Sequence, residues 1–284
     1  KVKRLLKNKG GNYIFPFFWQ HGEAEEVLRE YMKVIRESNI RAVCVESRPH
    51  PDFLGEKWWK DMDVILDEAR KWDMKVWILD DSHFPTGYAN GAIEGKSLDL
   101  HRQSIVSRTI KCEKSSVEMV LSLEDIKTAQ VWQPTPMEER MLKGKVQSVF
   151  DDDSIISVTA IRTDENGTNK LGTDSLIADL SAQIPSGKIC FRVPEGEWKL
   201  VVCYRTRNRG PHRSYINMMD KESCKVLIDT VYEPHYQHYK DDFGTTIAGF
   251  FSDEPEIGNG HLYEMGKQIS GLEDQAWSRE VEAE

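Results

Sequence analysis

Three apolar runs, separated by two amphipathic stretches, dominate the first hundred residues and constrain the fold more than any other feature. Tyr13 to Phe18 is a short apolar run. In Glu23 to Asn39, the apolar residues Ala24, Val27, Leu28, Tyr31, Met32 and Ile35 fall on one helical face. Arg41 to Glu46 reads as a β-branched strand, and Pro49 and Pro51 end it. Glu56 to Asp73 repeats the helical pattern through Trp58, Met62, Ile65, Leu66 and Ala69, and Met74 to Leu79 is a third apolar run. Strands that alternate with helices over short links predict βαβ units on a parallel sheet. Continuous apolar strands are what a sheet buried on both faces requires.

The pattern changes near Leu100. Residues 101–210 lose helical periodicity and alternate like half-buried strands in SIISVTAIRT, ICFRV and WKLVVCYRT, with turn sequences at 164–167, 185–187 and 194–197. This predicts a β-rich, sandwich-like insert. At Asp220 the helical pattern resumes, with Cys224, Leu227, Ile228, Val231 and His235 on one face, and Thr246 to Phe251 is a fourth apolar strand. The organisation expected is therefore 1–100 as the first βα units, 101–210 as the insert, and 211–284 as a helix, the fourth strand and a following helix.

Composition removes several function classes. With 38 Lys and Arg against 47 Asp and Glu, the net charge is −9, which disfavours nucleic-acid binding. No apolar run approaches the ~20 residues of a spanning helix. The start lacks the apolar core of a signal peptide, so a cytoplasmic location is expected. The five cysteines show no CxxC spacing, which argues against a zinc ribbon. Cys44, Cys190 and Cys203 read as buried small hydrophobes. Neither a Gly-rich phosphate loop nor a GxSxG elbow occurs.

Each apolar strand is followed by unusual polar residues: Trp19, Gln20 and His21; Glu46, Ser47, Arg48 and His50; Asp80, Asp81 and His83; Asp253 and Glu254. In parallel α/β folds, ligands bind at the carboxyl ends of strands. Four such clusters would converge on one cleft. Glu46 and Arg48 could be an internal ion pair or brace a site, and Asp80 and Asp81 could cap a helix or line the cleft. The Asp253-Glu254 pair behind IAGFF is costly without a purpose, and neighbouring carboxylates raise one another's pKa. Trp58 and Trp59 read as core, and Asn166-Gly167-Thr168 as a turn.

The segments FPFFWQHGE, AVCVESRPHPDF, KVWILDDSHFPTGYANG and GFFSDEPEIGNG resemble (β/α)8-barrel glycoside hydrolases. The similarity is to the α-L-rhamnosidase-like proteins of glycoside hydrolase family 106 and their uncharacterised bacterial relatives, over about 12–100 and 211–260. It rests on the W-x-x-D-x-x-x-x-P-T-G segment (77–87) and on FFSDEP (250–255). The resemblance implies the N-terminal part of a barrel, about four βα units interrupted by the insert. Glu254 would be the general acid, and Asp253 stands where such barrels commonly carry Asn. Trp19, His21, Glu46, Arg48, His50, Asp80, Asp81 and His83 would contact a carbohydrate substrate. No cofactor is required, though calcium is compatible with the ligand types and with the resemblance. The second catalytic carboxylate is expected beyond residue 284. Setting aside about 110 residues of insert leaves about 174 for the βα part, against ~250 for a typical closed barrel. The alternatives are a carbohydrate-binding protein without catalysis, and a metal-dependent hydrolase using Asp80, His83 and Asp253.

Overall fold

The computed structural model describes residues 3, 14–112, 118–128, 149–163, 177–208, 213–255, 272–278 and 281. The turn at 164–167 and the Asn166 sequon lie outside them. The chain forms two compact units, Lys1–Lys96 with Lys221–Glu256, and Ser97–Asp220 with Ile257–Glu284.

The first unit is built on a parallel sheet of β1 (Phe17–Gln20), β2 (Ala42–Ser47), β3 (Lys75–Leu79) and β10 (Ile247–Phe251), in that spatial order. Helices α1 (Glu25–Glu37) and α2 (Glu56–Lys71) are the crossovers from β1 to β2 and from β2 to β3. Before β10 comes a helical stretch of α4 (Lys221–Leu227), a π-helical turn (Ile228–Tyr232) and α5 (Glu233–Tyr239). The helices bury Leu28, Met32, Trp58, Met62, Ile65 and Leu66 with Phe18, Val43, Val45, Val76 and Ile78 of the sheet.

The sheet's other face carries two rows fixed by strand register. One is Phe17, Cys44, Trp77 and Gly249, and the next holds Trp19, Glu46, Leu79 and Phe251. Three strand spacings of ~4.8 Å separate β1 from β10, roughly 14 Å in a flat sheet. The rings of Phe17 and Phe251 nevertheless lie 5.8 Å apart. The sheet is therefore curled, concave on the face away from the helices. No closed barrel forms among the described residues.

In the second unit, five antiparallel strands run in the order β11 (Leu272–Trp277), β4 (Gln103–Lys111), β9 (Glu197–Thr206), β6 (Ser154–Thr163), β7 (Ile177–Asp179). A hairpin-like pair, β5 (Glu118–Ser122) and β8 (Lys188–Arg192), and the short helix α3 (Leu123–Thr128) contribute Ile189, Leu123 and Ile126 to a core with Val106, Val158, Val202 and Tyr204.

Local details differ from the sequence expectation. The first strand starts after Pro16, which has no N–H to give a ladder, and so carries Trp19 and Gln20 within it. Residues 272–277 form a strand whose ladder partner is Arg108 to Gln103, and the helix expected over the last residues, 278–284, lies mostly outside the described residues. Cys190 is exposed and Cys44 and Cys203 are only half-buried. At Cys190, alternation turns Ile189 and Phe191 inward instead. The expected helical face also breaks. The π turn adds a residue per turn and rephases the helix, leaving Ile228 exposed while Val231 and His235 are buried.

Candidate functional site

The carboxyl ends of the four parallel strands each place polar side chains, and each set is held differently. At the end of β1, Trp19 is half-exposed and its Nε1 donates to Glu46 Oε2 at 3.0 Å. His21 lies beyond the strand, where its backbone N–H and Nδ1 both reach the Glu23 carboxylate at 2.9 Å. Partial burial acts to raise the Glu23 pKa, but the N–H groups of His21 and Glu23 and the His21 ring outweigh it and lower it.

Glu46 is buried at the end of β2, and its second oxygen, Oε1, accepts from Arg48 NH1 at 2.5 Å. The Arg48 guanidinium carbon lies 5.1 Å from the Trp19 ring centre and 5.4 Å from that of Phe84. Trp19, Glu46, Arg48 and Phe84 thus form one constellation drawn from three strand ends. His50 is not part of it. Its ring is buried, with Nε2 2.9 Å from Asp61 Oδ2 of α2 and Nδ1 accepting from the Asp52 N–H at 3.1 Å. An accepting Nδ1 leaves the proton on Nε2, donated to Asp61. Lys57 completes that cluster through Asp61 and the Glu23 carbonyl. His50 therefore anchors the loop to a helix, with both ring nitrogens engaged inside the protein.

Asp80 and Asp81 end β3, both buried. Asp80 accepts three hydroxyls: Thr86 Oγ1 at 2.5 Å on Oδ1, Tyr232 OH at 2.7 Å and Ser252 Oγ on Oδ2. Burial raises its pKa, the three hydroxyls oppose that, and the Asp81 charge adds to it. Asp81 instead organises its own loop. Its oxygens accept from the N–H groups of Ser82, Gly87, Ala89 and Asn90 at 2.7–2.9 Å. Gly87, Ala89 and Asn90 all have positive φ, so this carboxylate holds a tightly wound backbone in place. With its lone pairs so occupied inside the protein, Asp81 has no face for a ligand. His83 is exposed, donating Nδ1–H to the Phe84 carbonyl at 2.8 Å and lying 4.4 Å from the Tyr88 ring.

Beyond β10, the backbone of Asp253 is tied to Thr86 in both directions at 3.0 Å. Asp253 is half-buried and Glu254 exposed. Glu254 has φ +42°, a left-handed conformation uncommon for a residue with a Cβ. The structure thus links Asp80, Thr86 and Asp253 in one chain and Trp19, Glu46 and Arg48 in another. Sequence reading assigned no role to Thr86, Tyr232 or Ser252. Thr86 is the Thr of the PTG segment, but nothing local marks Tyr232, which the π turn brings to Asp80.

Among the described residues, no group of three His, Cys, Asp or Glu is placed to hold a metal ion. Nor is any helix long and apolar enough to cross a membrane. No known family profile matches the chain, and no curated protein sequence does. Among solved structures, a rhamnosidase from Novosphingobium sp. PP1Y is similar with a TM-score of 0.40 and 7% identity. The similarity covers 84% of this chain and 38% of that one, so the chain spans well under half the length of that rhamnosidase. At that distance the likeness assigns neither family nor activity.

Proposed function

We propose that the protein is a glycoside hydrolase whose active centre lies at the carboxyl ends of the parallel strands, with the curled sheet as part of a (β/α)8 barrel. The observation that carries this reading is the clamp from Asp80 through Thr86 to the Asp253 backbone. It ties the loop after β3 to the backbone of the segment that carries Asp253 and Glu254, where Glu254 is left-handed. The sequential strand order, with helices on one face and a concave apolar face opposite, supports the barrel.

In this reading Glu254 is the general acid that protonates the leaving glycosidic oxygen. Asp253 tunes it or accepts a sugar hydroxyl. Carboxylates around the ring stabilise the oxocarbenium-like transition state. Trp19, half-exposed beside Arg48, offers a stacking face for a pyranose. Asp80 acts through Thr86, so it is a positioning residue.

Glu254→Gln in the intact protein should lower turnover of aryl glycosides with poor leaving groups by about 10²–10⁴-fold, the usual range for a general acid. Substrates with activated leaving groups should be spared. Near-normal turnover on both classes removes Glu254 from the role.

A further inference from the structure

Arg48 is held in a way that leaves it one direction in which to bind. Its guanidinium carbon lies over the Trp19 ring at 5.1 Å and over the Phe84 ring at 5.4 Å, so aromatic rings border it on two sides. One end is taken by Glu46, a residue that is itself 1% exposed and is fixed by Trp19 Nε1. The Arg48 side chain is nevertheless 37% exposed, and Nε and NH2 have no hydrogen-bond partner among the described residues. What remains open is an in-plane edge of N–H donors with no acceptor. A sugar hydroxyl is neutral and offers one oxygen to such an edge. A carboxylate only accepts, and its two oxygens fit the planar fork.

We infer that the substrate carries a carboxylate, that is, a uronic acid residue whose carboxylate is bound by Arg48. This rests on the reading of the same strand ends as a sugar site. The spacing is compatible with it. Arg48 and Glu254 follow strands two intervals apart, roughly 10 Å between backbones in a flat sheet. Arg48 specifies the substrate, and Glu46 and Phe84 are its positioning residues.

The test is isothermal titration of the intact protein with D-glucuronate and D-galacturonate, set against D-glucose, D-galactose and galactose 6-sulfate. A uronate should bind at least about tenfold more tightly than its neutral parent, as a charge-assisted bidentate contact provides. Arg48→Gln should abolish that preference. Arg48→Lys keeps the charge but not the fork, should weaken it, and carries the test if the Gln variant does not fold. Equal binding of neutral sugars, or preference for the sulfate, overturns the carboxylate assignment and leaves the hydrolase reading standing. Binding of no sugar at all overturns both.

Discussion

Thr86 and Asp253 hold each other through two 3.0 Å hydrogen bonds: the Thr86 N–H donates to the Asp253 carbonyl, and the Asp253 N–H donates to Thr86 Oγ1. The same hydroxyl gives its own proton to Asp80. One side chain therefore joins the loop after β3 to the segment after β10. Thr86→Val keeps the shape but leaves a buried N–H and a buried carboxylate oxygen without a partner. We expect a loss of roughly 2 kcal/mol in urea unfolding. Activity should fall with it, while Thr86→Ser retains most of both. Equal stability of the Val variant and the wild type would show that the clamp is dispensable.

Asp81 is the hub of the 82–90 loop, and its negative charge matters there because four N–H groups converge on it. In Asp81→Asn, an NH2 group faces two of those donors. The substitution should cost roughly 3 kcal/mol. Hydrogen exchange at Gly87, Ala89 and Asn90 reports it directly, since those amides should lose protection before the rest of the unit. Unchanged protection there argues against the hub.

His235 is buried in α5, with Nδ1–H donating to the Val231 carbonyl at 2.7 Å and Nε2 accepting from Trp58 Nε1 at 3.0 Å. Burial pushes its pKa down from 6.5 to about 4. The unfolded chain therefore takes up a proton that the folded one refuses. Stability is complete above pH 6.5 and is lost as the pH falls toward 4, by roughly 3 kcal/mol from this group. His235→Gln should flatten that part of the stability-pH curve, measured by denaturant unfolding at pH 7, 6, 5 and 4. A curve as steep as the wild type's would assign the acid sensitivity elsewhere.

Gly249 interrupts the β10 ladder at a register shift, with φ +152°. A Cβ there would lie 3.2 Å from the Trp77 ring. Gly249→Ala combines backbone strain with a displaced indole, and should lower stability by roughly 1–3 kcal/mol. The change in Trp77 packing should appear in near-ultraviolet circular dichroism. An unperturbed spectrum and melting temperature would mean that the ring moves aside freely.

Much of the first unit was legible because its signals are local. The i, i+3, i+4 spacing of Leu28, Met32 and Ile35 marks α1, and the MKVWIL run marks β3, with no knowledge of their partners. Polar residues behind each strand could be found in the same way. What they do could not, because it depends on contacts distant in sequence. His50 and Asp81 look like Glu46 and Arg48 in one dimension. Yet His50 turns to Asp61 on α2, and Asp81 turns back on its own loop. Tyr232 was hidden by the π turn, which a 3.6-residue period cannot represent. The Leu272–Trp277 strand was hidden because its pairing with β4 spans most of the chain.

The contact between Phe17 and Phe251 also bears on the order of synthesis. β1, β2 and β3 leave the ribosome before the 97–220 segment, but β10, the strand that pairs with β3, follows it. Until it arrives, β3 presents an unpaired edge, and Phe17 and Trp77 lie open on the nascent chain. That edge and those rings are the part of the growing chain most open to wrong pairing until β10 arrives.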